Sequence, residues 1–329
     1  MSERLAALRV WLTHVLGSQP SSIEPASSDA SFRRYFRVRQ DGRSWIVMDA
    51  PPDKEDCGPF VRIAAAMHEV GLHVPVVHAE DHAQGFLLLD DLGTTSYLDV
   101  LNPQTVESLY GDALDALLHL QNSDILAHID LPAYDHALLM QEMELFRDWY
   151  LGTHLGLAPD AATHAMLDKM FELLADNALS QPQVCVHRDY HSRNLMQVSD
   201  NNPGIIDFQD AVVGAVTYDL VSLLRDCYIS WPRQQVESWA MQHCEHLIAS
   251  GVLTDRDRGH FLRWFDLMGV QRHLKASGIF ARLNHRDGKP GYLADIPRTL
   301  AYVRDVAGRY DELAGLAELL DSLQAREKG

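Results

Sequence analysis

Apolar residues fall at Leu5, Leu8, Leu12, Val15 and Leu16, one face of a helix, and Gly17 marks its end. Near residues 31 to 50 the spacing changes to alternation with aromatic and β-branched side chains, predicting two strands. Gly58 to Val70 returns to helical spacing and stops at Gly71, and Val76-Val77-His78 with Phe86-Leu87-Leu88-Leu89 predicts a strand pair. Beyond Thr105 the pattern is mostly helical. Ala113, Leu114, Leu117, Leu118 and Leu120 mark one helix, and residues 138–151 mark another rich in aromatics. Helices are also expected at 219–230, 233–250, 255–278, 295–309 and 311–326, their apolar stripes packing as a bundle. The prediction is an α+β fold: a small β-rich N-terminal lobe, residues 1–92, and a larger helical C-terminal lobe, residues 93–329.

Between the two helical stretches lie short apolar runs separated by polar residues. Gln183-Val184-Cys185-Val186 predicts a buried strand that leads into His187-Arg188-Asp189-Tyr190-His191-Ser192-Arg193-Asn194. Leu195–Val198 and Gly204–Ile206 predict a hairpin around the turn Ser199–Pro203, with Asn194 and Asp207 side by side at its open end. The first segment fits the H-R-D-x-x-x-x-N pattern of a phosphoryl-transfer loop at every specified position. In such chemistry the protein mainly positions groups and neutralises charge. Asp189, ionised at neutral pH, can orient an acceptor hydroxyl and take its proton. Asn194 and Asp207 offer oxygen ligands to Mg²⁺, which prefers oxygen and keeps other positions for phosphate and water. The bland alternative makes Asp189 and Asp207 turn residues and Asn194 a loop cap.

His187 and His191 have no further His or Cys at ligand spacing, so a transition-metal site is not expected. His187 is expected to be a buried loop histidine. His191 and Arg193 flank the base and face either the acceptor or the phosphate. His78 and His82 are expected at the surface.

These segments resemble, in order, the aminoglycoside phosphotransferase/choline kinase family of small-molecule kinases, and the resemblance covers nearly the whole chain. Ser28 to Val38 sits where that family has its phosphate-covering hairpin, and Gly85 to Gly93 resembles its hinge. The resemblance implies a protein-kinase-like fold, ATP and Mg²⁺. It also implies nucleotide contacts at Ser28, Ser31, Arg33, Leu89, Asp90 and Leu92. Only nine residues separate Asp210 from Asp219, leaving no room for a protein kinase's long activation segment. Asp219 either braces the catalytic loop or caps a helix. Within the family, residues 29–37, 187–194 and 271–282 resemble the bacterial anomeric amino-sugar kinases of peptidoglycan recycling. That branch phosphorylates the C1 hydroxyl of N-acetylmuramate or N-acetylglucosamine. Aminoglycoside, choline and homoserine kinases, and a non-catalytic nucleotide-binding module, are the alternatives.

Two departures concern the phosphate side. No glycine lies between Pro25 and Asp41, so backbone amides there cannot approach phosphate as a Gly-rich loop does. The strand Trp45–Asp49 has Met48 where the family's phosphate-binding Lys is expected, and no Glu partner is evident on the following helix. Arg33, Arg34 and Arg37 are candidates for the missing charge.

Composition narrows the partners. A net charge of −18 disfavours nucleic acid and anionic membranes. The four cysteines form no CxxC pair, as expected of a reducing cytoplasm. No targeting or membrane-spanning run is apparent, and a cytoplasmic monomer is expected. Acceptor contacts are expected from His191, Arg193, Arg225, Tyr228, Trp231 and Arg272, with Asp226, His273, Lys275 and Arg282 nearby in sequence. The cations of residues 271–282 suit a carboxylated sugar better than a polycationic aminoglycoside.

Overall fold

A computed structural model describes residues 3–28 and 32–327. The chain forms two compact units, Met1–Ala113 with Asp124–Asp130 and Asn194–Asp210, and Leu114–Ser123 with Leu131–Arg193 and Ala211–Gly329.

The first unit is built on five antiparallel strands: β1 (Ser22–Ser28), β2 (Arg34–Gln40), β3 (Arg43–Asp49), β4 (Val77–Asp81) and β5 (Phe86–Asp90), in the order β1-β2-β3-β5-β4. The helix Glu3–Leu16 lays Leu8, Trp11 and Leu12 against Val38, Val47, Phe86 and Leu88, which form the core of this unit's sheet. Gly17 and Gly71 end their helices with φ of +79° and +87°, a backbone region that favours glycine. Gly85, in the β4–β5 turn, has a φ of +70°, and a Cβ there would lie 1.8 Å from the Ala50 carbonyl oxygen. β1 was not predicted: Ser-Ile-Glu-Pro-Ala-Ser-Ser has little apolar alternation. Its order comes from pairing with β2 at the sheet edge, where Pro25 coincides with a register shift. The ribbon Leu195–Met196/Gly204–Ile205 belongs to this unit, bonded through Gln197 N–H to the Thr95 carbonyl (2.9 Å) and Ile205 N–H to the His73 carbonyl (2.8 Å).

In the second unit the helix Arg258–His285 is buried on nearly every side, from Phe261 to Leu283. Around it pack His136–Leu145, Ala161–Leu179, Tyr218–Leu224, Arg233–Ser250 and Ile296–Ala307. Its burial includes a polar run, Gln271, Arg272, His273 and Lys275. A two-stranded ribbon pairs Gln183–Val186 with Val212–Ala215.

Several boundaries differ from the pattern-based expectation. The central helix continues past 278 to His285. The helix expected at 138–151 is α-helical only to Leu145 and then π-helical over Phe146–His154. Gly278 passes close to this junction, since a Cβ there would meet the Leu145 carbonyl carbon at 2.2 Å and Phe146 N at 2.6 Å. The helix expected at 219–230 ends at Leu224, and beyond it the buried Asp226 accepts N–H groups from Ser192 and Tyr228 (both 2.9 Å). Ala161–Leu179 was missed although its signal was local: Asp160 caps it, accepting the Thr163 N–H, and Leu167, Met170, Phe171 and Leu174 line its buried face.

Candidate active site

The loop after Gln183–Val186 lies in the second unit and is held mainly by one carboxylate. Asp219, fully buried, accepts the backbone N–H groups of His187 (2.7 Å) and Arg188 (3.0 Å). It lies inside its helix, with Thr217 at the cap, so it braces the loop rather than capping. Burial pushes its carboxyl up to about 7, and the charge of Asp189 adds to that, against the two N–H bonds. Arg188 takes a left-handed backbone, φ +76°, a conformation a side-chain-bearing residue keeps only when its surroundings over-determine it. Here they do: Asp219 holds its N–H, and its guanidinium pairs with Glu142 and lies 5.6 Å from the Tyr134 ring centroid. His187 is fully buried and accepts the Asp189 N–H on Nδ1 (3.2 Å).

Asp189 is half-buried. Burial alone would raise its pKa, but Lys275, His191, Arg272 and His187 outweigh that and hold it below the ordinary Asp value. Lys275 is anchored by Glu142 (3.0 Å) and the Tyr218 hydroxyl (3.1 Å). Glu142 therefore joins Arg188 and Lys275, and Tyr134 donates to it while accepting from Gln271 (3.2 Å). The result is a connected polar network that includes the residue preceding Asp189. Glu142 and Tyr134 escaped the sequence reading because no local spacing links them to the loop.

Of the expected acceptor contacts, His191, Arg272, Arg193 and Tyr228 are grouped around the loop. Burial lowers the His191 pKa, against the opposing charges of Asp226 and Asp189. Its ring meets the Tyr228 ring edge-on at 5.3 Å. Arg272 is 6% exposed, with a 3.7 Å hydrogen bond to the Cys227 sulfur. Arg193 is exposed, its guanidinium carbon 3.6 Å from the Tyr228 ring centroid. Arg225 and Trp231 join other groups. Arg225 is buried against Asp266 and lies over the Phe265 ring at 4.5 Å, and Trp231 meets Trp239 edge-on at 6.1 Å. His273 is buried, its Nε2 bonded to the Arg225 carbonyl (2.8 Å) and its ring stacked on Tyr302.

The first unit carries the other acidic motif. Asp207 also has a left-handed backbone, φ +66°, next to Phe208, whose buried ring packs 4.8 Å from Phe60. Its carboxylate accepts Asn194 Nδ2 (3.2 Å) and Gln209 Nε2 (2.7 Å), and Ile206 N–H bonds to the Asn194 carbonyl (3.0 Å). The three candidate arginines separate cleanly. Arg34 joins Arg4 on the buried Asp49. Arg37 makes a two-pronged contact with Asp91 (2.7 and 2.9 Å). Arg33 stands 3.4 Å from Glu55 and 3.9 Å from Asp210. Burial opposes the Arg33 charge, but Tyr35, Glu55, Asp207 and Asp210 leave its pKa above the ordinary value. The partner glutamate thus precedes the helix Gly58–Glu69 instead of lying on it, and Glu55 also accepts the Phe32 N–H (3.1 Å). Met48 is buried in the core, and Lys54 is 52% exposed beside Asp53.

Ser28 is the last residue of β1, and Ser31 lies outside the described residues. Leu89 is buried on β5 opposite Ile46, and Asp90 accepts Val76 N–H (3.0 Å) and bonds His78 Nε2 (2.7 Å). Leu92 packs against Gly204. Among the described residues, no group of three or more His, Cys, Asp or Glu side chains could hold a metal ion, and no helix is long and apolar enough to cross a membrane.

Known proteins resemble this chain at two levels. The family described as "Phosphotransferase enzyme family" matches residues 22–262. A curated protein of Pseudomonas putida, named N-acetylmuramate/N-acetylglucosamine kinase, is 50% identical over 332 residues, covering 98% of this chain and 97% of its own length. Among solved structures, choline kinase LicA from Streptococcus pneumoniae has a TM-score of 0.65 at 12% identity, covering 92% of this chain and 100% of its own. The GDP complex of aminoglycoside 2′-phosphotransferase-IIIa has a TM-score of 0.63 at 14% identity, covering 94% of this chain and 100% of its own. At such identities the two structures establish the shared fold and nothing finer.

Proposed function

This chain belongs to the phosphotransferase enzyme family, and from that premise we propose that it is an ATP-dependent kinase of amino sugars. It moves the γ-phosphate of ATP to the anomeric C1 hydroxyl of N-acetylmuramate and N-acetylglucosamine, a step of peptidoglycan recycling in the cytoplasm. The observation that carries this reading is the 50% identity, over nearly the full length of both chains, to a relative named for those two sugars.

The geometry supports a division of labour. Asp189, kept ionised by Lys275 and Arg272, orients the C1 hydroxyl and accepts its proton as the phosphoryl group arrives. Asn194 and Asp207 suit Mg²⁺. Each carries a hard oxygen donor, and the Asn194 amide group, whose Nδ2 donates to the Asp207 carboxylate at 3.2 Å, lies beside it. Bound there, Mg²⁺ would neutralise phosphate charge. Arg33, steadied by Glu55, adds positive charge on the nucleotide side in place of the absent Lys. Residues 1–92 serve as the nucleotide-binding lobe, with contacts from Ser28, Ser31, Leu89, Asp90 and Leu92. Residues 93–329 serve as the catalytic and acceptor lobe, with contacts from His191, Arg193, Tyr228 and Arg272.

An acceptor panel tests the proposal. Purified protein with ATP and Mg²⁺ is offered N-acetylmuramate, N-acetylglucosamine, choline, homoserine and an aminoglycoside, and products are read by phosphorus NMR. The expected outcome is an anomeric sugar phosphate from both amino sugars and negligible turnover of the rest. Turnover confined to another acceptor, or nucleotide binding without turnover, refutes it.

A further inference from the structure

We infer that Arg193 is the specificity residue for the carboxylated acceptor, binding the lactyl carboxylate of N-acetylmuramate. The inference rests on the proposed kinase activity toward both amino sugars. Those sugars share the C1 hydroxyl and the N-acetyl group, and N-acetylmuramate adds a carboxylate carried by an ether on O3. A protein that distinguishes them needs a positive group set back from the C1 base.

Most arginines of the second unit are committed to acids. Arg188 is held by Glu142, Arg225 and Arg233 share Asp266, and Arg258 is held by Glu245. Arg193 differs. Among the described residues it has no carboxylate within ion-pairing distance, and its partners are two rings: Tyr228 at 3.6 Å and Tyr292 at 5.7 Å from the guanidinium carbon. A 3.6 Å approach to a ring centroid engages the face of a guanidinium, leaving its N–H donors, which lie in the plane, available to an anion. The side chain is exposed, so an incoming acceptor can reach it.

Its placement is built rather than incidental. Asp226 accepts both the N–H and the hydroxyl of Ser192, the residue before Arg193, and also the N–H of Tyr228 (2.9 Å). One buried carboxylate therefore ties the end of the loop to the ring that supports the arginine. Phe280 backs both rings, 6.3 Å from Tyr228 and 5.7 Å from Tyr292. The loop also folds back on itself, with His191 N–H bonded to the Asp189 carbonyl at 3.0 Å, and the charges of both Asp189 and Arg193 act on the His191 ring between them. A carboxylate needs two parallel N–H donors, which a guanidinium offers and an ammonium does not. Arg272 is the competing candidate. It is 6% exposed, bonded to Cys227 and among the charges that hold Asp189 ionised, which suits both sugars equally.

The test compares wild type with Arg193→Gln, Arg193→Lys and Arg272→Gln on three acceptors: N-acetylmuramate, N-acetylglucosamine and the neutral carboxamide of N-acetylmuramate. Thermal midpoints confirm folding. For Arg193→Gln the kcat/KM ratio of N-acetylmuramate to N-acetylglucosamine should fall at least tenfold. Wild type should prefer the acid to its carboxamide, and Arg193→Gln should lose that preference. Arg193→Lys should recover only part of it, and Arg272→Gln should lower all three acceptors alike. Equal losses on both sugars in Arg193→Gln, an undiminished preference for the acid, or a ratio change confined to Arg272→Gln overturns the assignment. A wild-type protein that phosphorylates neither sugar overturns the kinase reading and this assignment with it.

Discussion

The carboxylate of Asp189 stands among Lys275, Arg272 and two histidines, whereas that of Asp207 is met by the side-chain amides of Asn194 and Gln209 and by the charge of Arg33. Both residues adjoin strained backbone, at Arg188 and at Asp207 itself. Under the proposed mechanism the difference matches what each acid has to do. A base has to be ionised in a half-buried place without a metal's help, so the protein supplies the cations. A metal ligand has to keep its charge uncompensated until the ion arrives, so amides orient it and protein cations stay few.

The sharpest way to break the comparison is to neutralise each acid in turn. Asp189→Asn should lower kcat by about 10³-fold, within the range for loss of a positioned general base, while nucleotide affinity stays within about threefold. Asp207→Asn should instead move the Mg²⁺ concentration for half-maximal rate upward. Identical signatures in a magnesium titration would mean the two acids share one role.

A smaller effect belongs to Arg33. Arg33→Met should raise the KM for ATP about tenfold to a hundredfold, the consequence of losing a charged hydrogen bond of about 1.5–3 kcal/mol. Arg33→Lys should recover part of this in steady-state kinetics. A KM for ATP unchanged by Arg33→Met would assign the phosphate-side charge elsewhere.

The smallest effect at neutral pH is expected of Lys275→Met, and it shows in the pH profile. Because Asp189 is held below the ordinary value, its ionised form persists as pH falls, and activity is lost only when pH passes through that depressed value. Removing Lys275 weakens the depression, so the acid limb of kcat/KM should move to higher pH. The same substitution leaves Glu142 with Arg188 and Tyr134 as partners and should lower the thermal midpoint. An acid limb that does not move would show that Arg272 and the histidines suffice.

Much of this was legible along the chain. The helix Arg233–Ser250 and the strand Gln183–Val186 were predicted to the residue, because in each the apolar period is clear and bounded by turn chemistry. β1 was not, because an edge strand with a proline and few apolar residues is ordered only by its neighbour. The central helix shows a third case. Arg272, His273 and Lys275 read as candidate acceptor contacts, and all three are buried with Gln271 among polar partners on other elements: Cys227 for Arg272, the Arg225 carbonyl for His273, Glu142 and Tyr218 for Lys275, and Tyr134 for Gln271. A Glu partner for the expected Lys was sought on the following helix and not found there; Glu55, which meets Arg33, lies just before that helix.

Sequence alone supplied the proposed chemical roles: Asp189, Asn194 and Asp207 lie close enough along the chain for spacing and turn signals to single them out. Only the tertiary structure decided the electrostatics around them. Glu142, Asp219, Lys275 and Arg272 lie between 32 and 86 residues from the loop's His187 or Asp189, and Glu55 lies 22 residues from Arg33. Burial and ion pairing depend on which side chains share a volume, and packing sets that across separations no local pattern records.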